Sequence, residues 1–88
     1  MSWNIVLSRA AVKDVKKIKS AGLSSQVKKL LATLKEDPFS DYPTYEKLVG
    51  NLRGYYSRRI NIQHRLVYQV IEDIKTVKIL RMWSHYGS

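Results

Sequence analysis

The sequence contains no cysteine, few acidic residues, and little proline or glycine. Without cysteine the fold cannot be held by disulfides, and no thiolate can bind a metal. The two histidines would leave most ligands of a zinc site to scattered carboxylates, which argues against such a site. No apolar run approaches the roughly 20 residues of a membrane span, and residues 5–7 are too short for a signal peptide. An intracellular, cytoplasmic protein is expected.

What the chain has in excess is positive charge. Sixteen lysines and arginines stand against seven aspartates and glutamates, so the net charge is +9 over 88 residues. A chain of this length is expected to form one domain, here residues 1–88, with one core and no deep enclosed pocket. The charge favours a polyanionic partner, either nucleic acid or a strongly acidic protein. A soluble domain that is basic without functional consequence is the alternative.

Two amphipathic helices are predicted in the first half of the chain. Ser8 offers a side-chain cap for the first helix, and Ala11, Val15 and Ile18 share its apolar face. Gly22 is expected to end this helix in the left-handed conformation. The second helix is predicted to start with a cap from one of the serines at 24 and 25 and to close at the Asp-Pro pair at 37 and 38. Lysines occupy the wet sides of both helices.

Strands are predicted around and after these helices. Residues 3–7 are expected to form a strand buried on both faces, and residues 55–62, 64–72 and 77–84 three further strands. Residues 36–54, which follow the second helix and precede the strand at 55–62, are predicted to form a connector that includes a short strand near 47–49. The order β-α-α-β-β-β predicts an α+β fold, with a helical hairpin packed on one face of a small twisted antiparallel sheet.

Cationic and protonatable side chains concentrate in the last third of the chain. The group comprises Arg58, Arg59, His64, Arg65, Arg81, His85 and Tyr86. Neighbouring strand residues point to opposite faces, so Arg58 and Arg59 cannot both meet one substrate. Arg59 is assigned to a cleft, and Arg58 either to an RNA-backbone contact or to the edge of the core. The tyrosines at 55, 56 and 68 are expected to pack in the core or on the sheet, and His64 to be structural.

Specific motifs run from Asn51 to Ile60 (NLRGYYSRRI), through residues 64–68 (HRLVY), to the terminal Ser-His-Tyr at 84–86. In this order and spacing, the chain closely resembles the Txe/YoeB branch of the RelE-like toxins of bacterial type II toxin–antitoxin pairs. The resemblance covers essentially the whole chain. It implies the RelE-like microbial-ribonuclease fold and a ribosome-dependent mRNA endonuclease that uses the RNA 2′-hydroxyl as nucleophile, without metal or other cofactor.

The resemblance also implies roles for individual residues. Glu46 corresponds to the general base, Arg65 to the phosphate stabiliser and His85 to the general acid. Tyr86 would position the nucleotide, and Arg59 would add positive charge. The branch commonly has a lysine near position 49, where this chain has valine, so Lys47 is assigned that RNA-binding role. The residue types suit the chemistry, because free carboxylates titrate at about pH 4.3 and imidazoles at about pH 6.5.

The resemblance implies partners and leaves alternatives open. An acidic, largely disordered antitoxin, the ribosome and mRNA are the expected partners, with promoter DNA bound only through the antitoxin complex and no membrane contact. The oligomeric state, including a homodimer, is left open. One alternative is a ParE-like toxin that inhibits DNA gyrase without cutting RNA. Another is a passive basic module that binds nucleic acid.

Overall fold

The computed structural model describes residues 2–41, 44–48 and 54–84. The elements within them are β1 (Asn4–Leu7), α1 (Arg9–Ser20), α2 (Ser24–Glu36), β2 (Tyr45–Lys47), β3 (Tyr55–Arg59), β4 (Arg65–Ile71) and β5 (Thr76–Ser84). The two helices pack on a five-stranded sheet whose strands lie in the order β1-β5-β4-β3-β2. A short 3-10 turn at Glu72–Ile74 joins the last two strands. The predicted α+β class is confirmed.

The sheet is mixed, so the prediction of an antiparallel sheet is wrong at one edge. The strands β2, β3, β4 and β5 form an antiparallel meander, whereas β1 pairs with β5 in parallel, with Asn4 opposite Thr76 and Leu7 opposite Ile79. The helical hairpin carries the chain from β1 across one face to β2 at the opposite edge of the sheet. Alternation of apolar residues indicates a strand but carries no information on the direction of its neighbour.

The edge position of β1 also corrects its predicted burial. Val6 is 44% exposed and Leu7 40% exposed, so this strand is not buried on both faces. An apolar run predicts a strand buried on both faces, but among the described strands β1 has one neighbour, β5. An apolar run therefore predicted the strand correctly and its environment incorrectly.

The first helix begins and ends as predicted. The Ser8 hydroxyl accepts a hydrogen bond from the Ala11 amide at 3.1 Å and donates to the Leu80 carbonyl at 2.8 Å, tying the start of α1 to β5. Gly22 has φ +73°, the left-handed conformation expected after a helix. The cap predicted for α2 is wrong: its N-cap residue is Leu23, and no side chain caps it. Burial of Leu23, which is 8% exposed, accompanies this start.

The core lies between the helical hairpin and one face of the sheet. Ala11 and Ile18 are buried as predicted, but Val15 is 42% exposed, and Asp14 is buried in its place. The helix is therefore rotated so that an acidic side chain faces β5. Other members of the core are Val27, Leu30, Leu34, Leu66, Tyr68, Val77, Ile79 and Met82.

Candidate functional site

A cleft lies on the sheet face formed by β2, β3 and β4. The strand register places Glu46 opposite Ser57 and Arg59 opposite Arg65. Because residues two apart on a strand share a face, all four side chains belong to the same side of the sheet. With Thr44 they line a cleft of about 290 Å³. The sheet thus brings together residues up to 21 positions apart in the chain.

Glu46 and Arg65 form an ion pair in this cleft. An Arg65 guanidinium nitrogen lies 3.0 Å from a Glu46 carboxylate oxygen, and the side chains are 15% and 62% exposed, respectively. The same nitrogen lies 3.5 Å from the Ser57 hydroxyl, which accepts from it. An ion pair with one well-exposed partner contributes about 0–1 kcal/mol. An incoming anion can therefore displace the carboxylate from Arg65 at little cost.

Arg59 lies directly across from Arg65 in the antiparallel pair of strands. Like charges placed opposite each other destabilise a sheet, unless a counter-charge lies between them. The cleft contains two guanidinium groups and one carboxylate, and is therefore cationic. This arrangement suits a phosphodiester, whose oxygens accept paired hydrogen bonds from arginine.

Arg58 is not an RNA-binding residue in this structure, because its exposure is 0%. It points to the face opposite the cleft, where its Nε donates to the Tyr68 hydroxyl at 3.1 Å. Its Nη2 donates to the carbonyls of Pro38 at 3.0 Å and Ser40 at 2.8 Å. Of the two roles considered for Arg58, the structure supports the core-edge contact and rules out the RNA contact.

Lys47 also falls outside the cleft. It follows Glu46 directly in β2 and pairs with Tyr56, so it belongs to the opposite face of the sheet. Its side chain is exposed there. Lys47 therefore does not line the cleft, and its RNA-binding role stays a prediction. The position of the family's lysine, Val49 here, lies outside the described residues.

His85 and Tyr86 lie outside the described residues, so their predicted roles stay predictions. The last described residue of β5, Ser84, pairs with Arg65 on β4. The described strand therefore ends beside the cleft arginine. His85 is the next residue in the sequence.

The packing predicted for Tyr56, Tyr68 and His64 is confirmed, whereas that of the half-buried Tyr55 stays a prediction. Tyr68 is buried at 0% exposure, and its ring stacks on that of Tyr56 with centroids 5.7 Å apart. His64 is 4% exposed and stacks on Trp83 at 3.8 Å. These rings are used in packing.

Asp14 is a buried charged residue that the sequence analysis missed. Its carboxylate accepts hydrogen bonds from Arg81 at 2.9 Å, from the Met82 amide at 3.0 Å and from the Trp83 amide at 3.2 Å. It therefore anchors the last part of β5, close to the cleft. The available signal was spacing, because Asp14 lies three residues after Ala11 and four before Ile18, on the buried face of α1.

Hydrogen bonding outweighs burial at Asp14. Burial raises the pKa of its carboxyl. The hydrogen bonds from Arg81 and from the two backbone amides together lower the pKa by more than burial raises it, so the net pKa lies below the ordinary 3.8. A carboxyl whose pKa is depressed by folding stabilises the protein above its unfolded pKa and loses that contribution as pH falls through its folded pKa.

We expect Asp14→Asn to lower the free energy of unfolding at neutral pH by about 1.5–3 kcal/mol, since hydrogen bonds to a charged group are lost. Between about pH 5 and pH 2, wild-type stability should fall more steeply than that of the variant. Denaturant unfolding at each pH measures both effects. Exposed Asp73→Asn serves as the control. Equal slopes for wild type and Asp14→Asn would refute the assigned role.

In the part of the chain that the structure describes, no group of three or more histidine, cysteine, aspartate or glutamate side chains could hold a metal ion. Neither helix there is long and apolar enough to cross a membrane.

Comparison with known proteins identifies the class. Residues 10–86 match the family model described as the YoeB-like toxin of bacterial type II toxin-antitoxin systems. The toxin YoeB of Mycobacterium bovis is 41% identical over 61 residues, covering 69% of each chain. The YoeB dimer from Staphylococcus aureus has a TM-score of 0.82 and 35% identity, covering 98% of this chain and 100% of that one. The S. aureus YoeB-YefM complex matches over the same shares, with 35% identity and a TM-score of 0.79.

The fold and the comparisons define a toxin of a bacterial type II toxin–antitoxin system. Within that class, the chain belongs to the YoeB-like toxin family. The resemblance read from the sequence motifs is confirmed.

Proposed function

We propose that this toxin is a ribosome-dependent endoribonuclease that cuts mRNA and thereby inhibits translation. The observation that carries the proposal is the Glu46–Arg65 contact of 3.0 Å in a cleft that also contains Arg59. A carboxylate beside two guanidinium groups supplies a proton acceptor and fixed positive charge at one place. Membership of the YoeB-like family supports the same reaction class.

In the proposed reaction, the scissile phosphate takes the place of the Glu46 carboxylate on Arg65. Glu46, freed from the ion pair, accepts the proton of the RNA 2′-hydroxyl, whose oxygen attacks the adjacent phosphorus. The bond from phosphorus to the 5′-oxygen breaks, and His85 donates the proton that this oxygen gains. The products are a 2′,3′-cyclic phosphate and a free 5′-hydroxyl. Arg65 and Arg59 offset the charge that develops on the phosphoryl oxygens, and Tyr86 positions the nucleotide.

No step in this scheme calls for a metal ion, because each proton is held by a side chain. The scheme needs both carboxylate and imidazole, one as acceptor and the other as donor. A toxin that acts only by binding has no chemical need for a carboxylate, a guanidinium and an imidazole together, whereas a nuclease of this kind needs all three.

The proposed partners are the ribosome with its mRNA and an acidic antitoxin. The S. aureus relative forms a complex with YefM. For this chain, the net charge of +9 and the exposed apolar residues of β1 favour an acidic segment that folds on binding. The toxin would act in the cytoplasm, where ribosomes translate. The S. aureus relative also occurs as a dimer, and a homodimer is proposed here on that basis alone.

The direct test is to incubate the purified toxin with a defined mRNA, free or loaded on purified ribosomes, and to map new ends by primer extension. We expect cuts in the ribosome-bound message and far fewer in the free RNA. Intact ribosome-bound message would contradict the proposal. If gyrase supercoiling were then inhibited, the ParE-like alternative would be favoured; tight RNA binding without turnover would favour the passive module.

A further inference from the structure

We infer that Arg58 is a positioning residue that holds Glu46 in place from the opposite face of the sheet. The inference rests on the proposed function, because Glu46 is the base of that reaction. Arg58 lies on β3, directly opposite Tyr45 of β2, which precedes Glu46. It is fully buried and does not line the cleft.

The strand that carries Glu46 has little support of its own. β2 is three residues long and lies at the edge of the sheet, with β3 as its sole neighbour among the described strands. Beyond its three ladder pairs, the Leu48 amide donates to the Tyr55 carbonyl at 2.9 Å. Glu46 itself is 62% exposed at its side chain. So short an edge strand depends on side-chain packing to stay in place.

Arg58 contacts both β2 itself and the segment that precedes this strand in the chain. Its guanidinium lies over the Tyr45 ring, 5.0 Å from the centroid. Through Nη2 it also holds the carbonyls of Pro38 and Ser40, which precede β2 in the chain. The Tyr68 hydroxyl accepts from Arg58 and donates to the same Pro38 carbonyl at 3.1 Å, which closes a cycle of hydrogen bonds.

Aromatic contacts complete this support. Tyr45 packs edge-on against Tyr56 at 5.7 Å, and Phe39 packs edge-on against the same Tyr56 at 5.5 Å. Because neighbouring strand residues point to opposite faces, fixing Tyr45 on the core side holds Glu46 on the cleft side. Lysine could not replace arginine here, since one ammonium cannot reproduce the planar fork that bonds two carbonyls and a hydroxyl together.

A double-mutant cycle tests this inference in full-length toxin on ribosome-bound message. We expect Arg58→Met to lower kcat by about 10²-fold with little change in KM, because a small displacement of a catalytic group has effects of this size. In a Glu46→Gln background, the same change should lower kcat by less than about threefold, because the misplaced group is already inactive. Arg58→Lys should behave like Arg58→Met, and Tyr45→Phe, which keeps the ring, like wild type.

Loss of stability alone would give a different pattern. The matched control is Leu30→Ala, a core change in α2 that also destabilises the fold. Assayed well below the melting temperature, it should alter kcat equally in both backgrounds. If Arg58→Met also acts equally in both, or leaves kcat unchanged, Arg58 does not act through Glu46 and the inference fails.

Amide hydrogen exchange separates failure of the inference from failure of the proposed function. In Arg58→Met we expect faster exchange at residues 45–48 and unchanged exchange across β4 and β5. If wild type does not cut RNA and Glu46→Gln is without effect, the proposed function is wrong, yet this local change still establishes that Arg58 positions β2. Uniformly faster exchange in every strand, or no change at residues 45–48, overturns the positioning role.

Discussion

Replacing Arg65 with alanine is expected to lower the rate of cleavage of ribosome-bound message by about 10²–10³-fold, the usual effect of removing one preorganised donor to a developing charge. Arg65 is the cleft residue best placed for this role, because it is only 15% exposed and is already held near the carboxylate of Glu46. Single-turnover cleavage on purified ribosomes measures the rate. Growth arrest on expression should disappear in parallel.

The substitution Arg65→Lys distinguishes charge from geometry. A lysine keeps the positive charge but cannot make two parallel bonds to phosphate oxygens, so we expect it to recover only a small part of the lost rate. Both variants should retain cooperative unfolding, since the Glu46–Arg65 pair is exposed on one side and contributes little to stability. A folded Arg65→Ala protein that cuts at the wild-type rate would remove Arg65 from the reaction.

The second large effect is expected from Glu46→Gln. Glutamine has nearly the same shape but cannot accept the 2′-hydroxyl proton, so we expect kcat to fall by about 10²–10⁴-fold. Binding to ribosomes should be unchanged or tighter, because a negative charge has left a cationic cleft. Rapid-mixing cleavage and a separate binding titration resolve the two effects.

Glu36→Gln provides the matched control for this change. Glu36 is an exposed residue at the end of α2 that does not line the cleft, so its substitution removes the same charge outside the site. Its cleavage rate should equal that of wild type. A rate for Glu46→Gln as high as that of Glu36→Gln would show that another group takes the proton.

Much of the fold was predictable because local signals were strong. The serine cap at Ser8, the left-handed Gly22 and the Asp-Pro stop after α2 each depend on a few neighbouring residues. The parallel pairing of β1 with β5 was not predictable, since it joins residues about 72 positions apart and depends on where the hairpin carries the chain. The exposure of Val6 and Leu7 follows from that pairing and was missed with it.

The candidate site was likewise predictable from the sequence only in part. The proximity of Glu46 and Arg65 was expected from the family motifs. The alternation of strand residues separated Arg58 from Arg59, and the family resemblance assigned Arg59 to the cleft. The true role of Arg58 depends on the carbonyls of Pro38 and Ser40, which a motif cannot reveal. Asp14 was missed because periodicity was read from apolar residues alone, although its own position fell on the buried face.

The proposed chemistry depends most directly on the nucleophile. We would load ribosomes with a message that carries a single 2′-deoxynucleotide on the 5′ side of the mapped cut, and compare its cleavage with that of the all-ribose message. The account predicts that cutting at this linkage disappears, while the all-ribose RNA yields a 2′,3′-cyclic phosphate end. Undiminished cutting of the deoxy-substituted linkage would show that the 2′-hydroxyl is not the attacking group and would contradict the account.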